Sequence, residues 1–219
     1  MPPTPERGSG RRYSGMDAEE RTRARRVAIL DAALELFGTA GFAATSVKQI
    51  CRTAGLTERY FYESFKDRPA CLVGLYEALV TGLRTATEVA IEAAGADIEV
   101  AAREGLDAFI GYLTEDPRRA RVVLIEVVGV SSEIEELRHG VLRGFADLIR
   151  AVWLADAEID PGDDEIQLTA VALSGAVNNL LVDWMMTGRR QSPQVLARVC
   201  ATLFTSALTG VRRGDEGRG

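Results

Sequence analysis

One short stretch, residues 45–68, constrains the fold of this chain more than any other, and it reads TSVKQICRTAGLTERYFYESFKDR. Ser46 followed by Gln49 is a capping box that begins a first helix. Gly55 suits the left-handed residue that ends this helix, and Thr57 suits the N-cap of a second one. Two short helices joined by a tight glycine turn form the helix-turn-helix pattern, whose second helix enters the major groove of DNA. The alternative is a structural αα-hairpin whose basic residues form a solvated face.

Polar side chains in and beside the second helix suit contacts with DNA. Arg59 has the planar donor fork that pairs with guanine O6 and N7, and Tyr60 can contact a thymine methyl group or a phosphate. Thr57 and Lys66 suit phosphate oxygens, which fix the register without reading sequence. The predicted DNA-contacting residues are Thr45, Ser46, Lys48, Thr57, Arg59, Tyr60, Tyr62 and Lys66.

An acidic residue, Glu58, stands at the start of the same helix. Two roles for it stay open. It can accept a hydrogen bond from a cytosine amino group, or it can be an exposed charge that favours the helix dipole. We favour the second role, because a carboxylate on a DNA-reading helix repels phosphate.

The net charge of −6 taken alone argues against a nucleic-acid partner, but the charge is unevenly distributed along the chain. Residues 1–68 carry 12 Lys and Arg against 9 Asp and Glu, whereas the remainder carries 14 against 23. A basic N-terminal end on an acidic body is consistent with electrostatic binding of DNA by that end.

Other classes of protein find little support in the sequence. Cys51, Cys71 and Cys200 are far apart and lack metal-ligand spacing, so we interpret them as buried apolar residues in a reducing cytoplasm rather than redox sensors. The single histidine, His139, lies in a charged helical stretch, and no catalytic or nucleotide-binding motif occurs. No apolar run reaches the length that spans a bilayer. We expect no enzyme activity, cofactor, metal or membrane association, and a cytoplasmic location.

The stretch also resembles a known family. The resemblance is carried by a helix ending in DAALELFGTAGF and then by Gly41-Phe42, Thr45-Ser46-Val47, Ala54-Gly55-Leu56-Thr57, Tyr62 and Phe65-Lys66-Asp67. Over residues 25–70 the chain is similar to the N-terminal domain of the TetR/AcrR family of bacterial regulators. This resemblance implies a dimeric, mostly repressing transcription factor with an all-helical body that binds an effector. Pro69 departs from the acidic residue usual there, and we expect only a shifted helix start.

Capping signals and helical spacing divide the chain into about nine helices with no convincing strand, an all-α fold. We expect a disordered arm at residues 1–20, the helix-turn-helix domain at 21–67, an effector-binding and dimerisation domain at 68–213 and a flexible tail at 214–219. In the arm, Arg7, Arg11 and Arg12 either reach a minor groove or carry incidental charge, and we favour the latter.

Two local predictions concern helix faces and starts. Helical spacing places the inner face of the first helix at Val27, Leu30, Leu34 and Phe37. In the body, Ser132 with Glu135 predicts a capping box.

The last two long helices are expected to form a homodimer interface. Residues 170–184 mix small side chains, which let helices approach closely, with larger ones that include Leu180 and Trp184. Ordinary core packing is the alternative. We favour dimerisation, because a two-fold axis presents two reading helices to a palindromic operator.

The family resemblance places an effector cavity among the middle helices. Residues predicted to bind the effector are Tyr76, Phe109, Tyr112, Glu126, Phe145, Asn178 and Trp184. Plain core packing is the alternative for each, and an interhelix hydrogen bond at the dimer interface is a second one for Asn178. Because the body shows no cationic cluster, we expect an uncharged or cationic hydrophobic effector.

The function expected from these features is sequence-specific DNA binding that represses transcription until the effector releases the operator. Three alternatives stay open: activation, a DNA-binding protein of the same fold that no ligand controls, and an all-helical enzyme or lipid carrier. The sequence does not identify the effector, the operator or the controlled genes.

Overall fold

The computed structural model describes residues 18–155 and 164–216, with side chains up to residue 212. The predicted arm with Arg7, Arg11 and Arg12 lies almost entirely outside the described residues, as does the end of the predicted tail.

Nine α-helices and no strand make up the described part of the chain, which confirms the all-α prediction. The helices are α1 (Ala18–Thr39), α2 (Val47–Ala54), α3 (Glu58–Ser64), α4 (Arg68–Ala94), α5 (Ile98–Glu115), α6 (Pro117–Arg121), α7 (Ser132–Trp153), α8 (Asp164–Met186) and α9 (Pro193–Glu216). A single π-helical turn, Val122–Glu126, follows α6 directly, and we call it the π segment.

The helix-turn-helix has the predicted local structure. The Ser46 hydroxyl accepts from the Gln49 backbone N–H at 3.3 Å, and the Gln49 side chain accepts from the Ser46 N–H at 2.8 Å. Gly55 has φ +66°, the left-handed conformation that stops α2. Thr57 occupies the N-cap position of α3, but its side chain makes no capping hydrogen bond. The turn therefore depends on Ser46 and Gly55 rather than on Thr57.

The first three helices enclose a small apolar core. Ile29, Phe37, Ile50 and Phe61 are fully buried in it. The prediction for Val27 was wrong, because that side chain is 51% exposed. The inner face of α1 consists of Ile29, Ala32 and Ala33 together with Phe37, which was predicted. The error is a small rotation of the face about the helix axis.

The long helix α4 joins this domain to the body. Asp67 caps it by accepting from the Ala70 N–H at 2.7 Å, and Pro69 lies in its first turn as expected. The inner face of α4 is buried from Leu72 to Thr87 against the other helices of the body. One continuous helix therefore reaches from the helix-turn-helix domain deep into the body.

The helices α7 and α8 pack antiparallel. The Ser174 hydroxyl donates to the Leu142 carbonyl oxygen at 2.9 Å, and the Gln167 amide donates to Asp147 at 3.2 Å, so residue numbers fall along α7 as they rise along α8. The predicted capping box at Ser132 was wrong. Ser131 is the N-cap instead, and its side chain accepts from the Ile134 N–H.

Two helices, Asp164–Met186 and the Pro193–Arg212 part of α9, are long and apolar enough to cross a membrane by length and composition. Core helices of water-soluble proteins meet the same criteria. Here α8 packs against α7, and α9 packs against α5.

Candidate nucleic-acid interface and effector cavity

The short helix α3 presents its polar residues to solvent. The Arg59 side chain is 84% exposed, and its Nε donates to the Glu63 carboxylate at 3.0 Å. This pair lies on the surface and leaves most of the guanidinium donors of Arg59 in water, where they are available to a base edge. Glu58 is exposed in the first turn of α3, which agrees with the helix-start role.

Tyr60 does not stand alone on this surface. The Arg25 guanidinium lies 4.4 Å from the centre of the Tyr60 ring, and its Nη2 is 3.9 Å from the Glu63 carboxylate. Arg25 thus comes from α1 to the edge of α3 and orients one of the predicted base-contacting residues. The sequence reasoning missed it, although the basic run RTRARR was the available signal. Tyr62, also on α3, is 56% exposed.

The structure separates Thr45 from the other predicted DNA-contacting residues. Its side chain is 1% exposed, and its hydroxyl donates to the Gly41 carbonyl oxygen at 2.8 Å. The Arg68 guanidinium donates to the backbone carbonyl oxygen of Thr45. The side chain of Thr45 therefore braces the turn before α2 and is not placed to meet a phosphate. Ser46, Lys48, Thr57 and Lys66 are all exposed.

A long cavity runs through the body between α4, α5, the π segment, α7, α8 and α9. The empty space is about 1030 Å³, including its open mouth. Its wall extends from Tyr76 to Ile91 on α4 and from Arg138 to Val152 on α7. At a rise of about 1.5 Å per residue, the cavity follows each helix for about 20 Å.

Four of the predicted ligand-binding residues line this cavity: Tyr76, Phe109, Phe145 and Asn178. The rings of Phe109 and Phe145 meet edge to face with centroids 5.1 Å apart. Tyr76 is buried, and this burial raises the pKa of its hydroxyl to about 12, so it stays a neutral donor at physiological pH.

The other three predicted ligand-binding residues lie outside the cavity wall. The Tyr112 hydroxyl packs against Gly82, and the Arg119 guanidinium covers its ring at 4.5 Å. The Trp184 Nε1–H donates to the Gln191 carbonyl oxygen at 2.9 Å, so this ring packs inside the chain. Glu126 points toward the DNA-binding domain. We leave all three out of the ligand site.

A cation that the sequence reasoning passed over lies in the same wall. Arg138 is the one charged residue among the described residues that line the cavity. Its side chain is 20% exposed, and its Nη1 donates to the Glu135 carboxylate at 2.8 Å. The sequence showed no cluster of cations in the body, and a single arginine within LRHG gave no signal of its position.

The π segment joins the cavity to the DNA-binding domain. The Glu126 carboxylate at its end accepts from the Phe42 backbone N–H at 2.7 Å and from Arg121 Nε at 2.8 Å. Arg121 Nη1 in turn donates to the Thr39 carbonyl oxygen at 2.6 Å. Val123 and Leu124 of the same segment line the cavity. One turn of chain therefore touches both the ligand space and the corner between α1 and α2.

Close approach at this corner requires glycine. Gly41 has φ +94°, and a Cβ there would lie 3.1 Å from Arg121 Nη2 and 3.2 Å from a Glu126 oxygen. A Cβ at Gly38 would lie 2.4 Å from the Cβ of Arg118. These contacts let α6 and the π segment rest directly on the end of α1.

Comparison with known proteins agrees with this arrangement. The sequence profile described as "Bacterial regulatory proteins, tetR family" matches residues 29–74, which hold the second half of α1, the helix-turn-helix and the start of α4. Residues 29–74 are a TetR-family DNA-binding domain. The chain that carries them is a DNA-binding transcriptional regulator.

Curated relatives of this chain extend the similarity beyond the DNA-binding domain. The chain is 29% identical over 171 residues to the HTH-type transcriptional regulator EthR of Mycolicibacterium smegmatis, covering 78% of this chain and 75% of that protein. It is 22% identical over 189 residues to the fatty acid metabolism regulator protein of Bacillus subtilis, covering 82% and 93%. These relatives are regulators rather than enzymes.

Solved structures share the fold over most of the chain. The crystal structure of the transcriptional regulator FadR from Bacillus subtilis in complex with stearoyl-CoA superposes with a TM-score of 0.71 at 20% identity. The match covers 81% of this chain and 96% of that one.

An apolar surface runs along α8 and α9. On α8, Leu168 is 69% exposed, and Ala172 and Gly175 follow it at helical spacing. On α9, Val199 and Leu203 are each nearly half exposed. We call this surface the α8–α9 face. Trp184, which the sequence reasoning assigned to an interface, is not part of it.

The three cysteines are buried. Burial raises the pKa of the Cys71 thiol to about 12 and that of Cys200 to about 11, so neither forms the reactive thiolate readily. In the part of the chain that the structure describes, no group of three or more His, Cys, Asp or Glu residues is placed to hold a metal ion.

Proposed function

We propose that this TetR-family protein is a cytoplasmic repressor that binds a palindromic operator as a homodimer and is released by a largely apolar effector. The observation that carries the proposal is the double contact of the π segment. Its Val123 and Leu124 line the cavity, while Glu126 in the same turn holds the corner between α1 and α2.

DNA contact is proposed for seven of the eight predicted residues, with Arg25 taking the place of Thr45. The exposed Arg59 and the half-buried Tyr60 would meet base edges from α3. The remaining surface residues would fix the position on the phosphates, and they are Ser46, Lys48, Thr57, Tyr62 and Lys66. We retain 21–67 as the DNA-binding domain and 68–213 as the effector and dimer domain.

Dimerisation through the α8–α9 face is the proposed source of the second reading helix. Leu168 on α8 and Leu203 on α9 expose apolar area to water. Leaving this area uncovered in a monomer is unfavourable in free energy, and a partner subunit would cover it. At Gly175 an added Cβ would meet nothing within 4 Å, so a partner helix has room to approach. In a dimer with a two-fold axis through this surface, each subunit would present one α3, which matches the two half-sites of a palindromic operator.

Release follows if the effector prefers a conformation in which the π segment has moved. A molecule that fills the cavity presses on Val123 and Leu124, which are rigidly connected to Glu126 through one helical turn. Displacing Glu126 breaks its hydrogen bond to the Phe42 N–H and frees the DNA-binding domain to rotate. The effector can act in this way only through its different affinity for the two conformations.

The apolar character of the effector is supported by the cavity and by the relatives. Aliphatic and aromatic side chains make up most of the cavity wall. Among the relatives of known structure, FadR from Bacillus subtilis has been crystallised in complex with stearoyl-CoA, a molecule with a long apolar chain.

Selection of genomic DNA fragments by the purified protein, followed by footprinting of those selected, tests the operator proposal. The expected result is a two-fold symmetric footprint at few sites, bound by a dimer at physiological salt. Many sites without a shared sequence would support instead a DNA-binding protein that organises the chromosome. If the protein is an intact dimer and still forms no sequence-specific complex, that result would contradict the proposal.

A reporter gene placed under the footprinted site tests the direction of control. Repression predicts a higher signal when the regulator gene is deleted. A lower signal on deletion would show an activator.

A further inference from the structure

We propose that the effector is an elongated apolar molecule that ends in a carboxylate, and that Arg138 binds this carboxylate inside the cavity. The inference rests on the proposed effector site and deepens it. It replaces the expectation of an uncharged or cationic effector, which took no account of where Arg138 lies.

The first step concerns the end of the cavity at which Arg138 lies. The antiparallel packing of α7 and α8 pairs Leu142 with Ser174, so one turn further along, Arg138 is level with Asn178. Tyr76 lies near the beginning of α4 and lines the same cavity as Arg138 and Asn178. These three polar residues are therefore placed toward the cavity end nearer the DNA-binding domain.

The second step concerns the polar groups elsewhere in the wall. The Thr87 hydroxyl donates to the Leu83 carbonyl oxygen, and the Ser174 hydroxyl donates to the Leu142 carbonyl oxygen. Both are used within the protein. The hydrogen-bond donors that remain for a ligand are therefore concentrated around Arg138, and about 20 Å of apolar wall extends from them.

The third step concerns the charge. A guanidinium has five N–H donors, and the structure shows one of them, on Nη1, engaged by Glu135. A cation in an apolar wall is costly unless it is paired, and a planar guanidinium matches a carboxylate in a two-point contact. The described residues of the wall include no Asp or Glu, so a cationic effector would find no counter-ion there and would be repelled by Arg138.

The fourth step explains how Arg138 can change partners. The Glu135 side chain is 41% exposed, so it can turn into water when a ligand carboxylate takes its place. Its other oxygen accepts from the Gly129 N–H at 2.7 Å, in the turn that follows the π segment. Binding of a carboxylate therefore loosens a contact beside the same turn of chain that holds the DNA-binding domain.

The test compares ligands of equal chain length that differ only in their head group. Straight-chain carboxylates from octanoate to stearate are titrated into the full-length protein by calorimetry, each beside the alcohol and the amine of the same length. We expect the carboxylate to bind at least about tenfold more tightly than the alcohol, because a hydrogen bond to a charged group is worth that much. The amine should bind most weakly.

Variants of α7 assign the preference to Arg138. In Arg138→Met the preference for carboxylate over alcohol should fall to about one, while affinity for the alcohol is retained. In Glu135→Gln the carboxylate should bind more tightly than in the wild type, since the competing anion is gone. The matched control is Arg143→Met, an exposed arginine on the same helix, which should keep the wild-type preference. If Arg138→Met does not fold, Arg138→Gln replaces it.

Several outcomes would overturn the inference. They are equal affinity for carboxylate and alcohol at every chain length, an unchanged preference in the Arg138 variant, and the absence of binding by all the carboxylates. Stearoyl-CoA that binds more tightly than stearate, and equally tightly in wild type and Arg138→Met, would also overturn it, because the preferred ligand would then have no carboxylate and no need of Arg138.

Release of DNA, measured separately with the footprinted site, distinguishes this inference from the proposed function. If alcohol and carboxylate release DNA equally well, the inference fails and effector control stands. If a carboxylate binds through Arg138 without affecting the DNA complex, the inference stands and effector control fails.

Discussion

At the scale of single residues, the surface proposed to face DNA is already organised in the protein alone. Arg59 is held by Glu63 on its own helix, and Tyr60 is held under the guanidinium of Arg25. Exposed pairs of this kind contribute little to stability. Their effect is to limit the conformations of the two side chains, which lowers the entropy lost when they meet a base edge.

Replacing Arg59 by Ala should weaken binding to the footprinted operator by about 1–3 kcal/mol, because a bidentate contact to guanine is worth that amount. The measurement is fluorescence anisotropy with the operator and with a scrambled duplex. Loss of affinity for the operator alone indicates base reading. Arg103→Ala, an exposed arginine on α5, is the matched control and should leave both affinities unchanged. An equal loss on both duplexes would show that Arg59 contacts only phosphate.

The pair of Asp116 and Arg118 gives a prediction about pH. Hydrogen bonds from the Arg118 side chain hold the pKa of the Asp116 carboxyl below its usual 3.8. A carboxyl whose pKa is lowered by folding stabilises the protein above its unfolded pKa, and this contribution is lost as the pH falls through the folded value. Asp116→Asn keeps an acceptor for the helix cap and removes only the charge.

We therefore expect Asp116→Asn to reduce the free energy of unfolding by about 1 kcal/mol near neutral pH. The difference from wild type should shrink steadily as the pH is lowered below 3.8. Urea unfolding from neutral pH to below pH 3.8 measures this difference in free energy. Asp107→Asn, at an exposed aspartate, is the control. A difference that does not change with pH would show that the charge of Asp116 is not responsible.

At the scale of helices, the glycine between α2 and α3 controls the angle at which α3 is presented. Gly55 has φ +66°, and an added Cβ would meet nothing within 4 Å. Only backbone strain then opposes substitution. Gly55→Ala should lower the free energy of unfolding by about 1–2 kcal/mol, the cost of a left-handed L-residue. Gly55→Asn should lose less, since asparagine tolerates this conformation, and thermal unfolding compares the two. An equal loss of unfolding free energy in the two variants would mean that the positive φ of Gly55 is not the cause.

The corner between α1 and α2 is where we expect the link to the body to be broken most easily. Glu126→Ala removes the acceptor of the Phe42 N–H and leaves Arg121 without its carboxylate. Hydrogen exchange at the Phe42 amide should become faster, and the free energy of unfolding should fall by about 2 kcal/mol. NMR-detected exchange measures the amide.

Glu88→Ala is the control, because it breaks an exposed pair with Arg84 far from the corner. Unchanged exchange at Phe42 in Glu126→Ala would contradict the proposed link.

Prediction from sequence succeeded where a feature depends on neighbours in the chain. The capping box of Ser46 and the left-handed Gly55 are local, and both were found. It failed where the outcome depends on residues distant in sequence. Glu126 interrupts an apolar run and resembled a ligand group, but its partner, the Phe42 N–H, is 84 residues away. Arg138 was missed for the same reason, since only the folded body shows that it lines a cavity.

At the scale of the whole molecule, the acidic body and the basic N-terminal end have separate tasks. Residues 1–68 carry an excess of positive charge, and the rest of the chain is strongly acidic. A dimer would place two basic ends on one side of a negatively charged particle. The field of such a particle favours approach to DNA by the reading helices rather than by the body.

Leu203→Asp should convert the dimer to a monomer, because it places a charge in the α8–α9 face. Light scattering should show half the mass, and affinity for the full operator should fall sharply while binding to a half-site changes little. Val89→Asp, at an apolar residue of α4 that is 59% exposed, is the control and should stay dimeric. A Leu203→Asp protein that remains a dimer would place the interface elsewhere.

The π segment also makes the protein sensitive to insertion and deletion. A π turn holds one residue more than the α-helical turn it replaces, so Val122–Glu126 offsets the rest of that stretch by one position. Deleting a single residue there should restore α-helical winding and leave Glu126 facing the corner, because the wider turn has absorbed the additional residue. Deleting a residue from the α-helical stretch before it should instead rotate Glu126 by about 100° about the axis and break its hydrogen bond to the Phe42 N–H. We expect only the second deletion to uncouple the cavity from the helix-turn-helix, and hydrogen exchange at the Phe42 amide compares the two shortened chains.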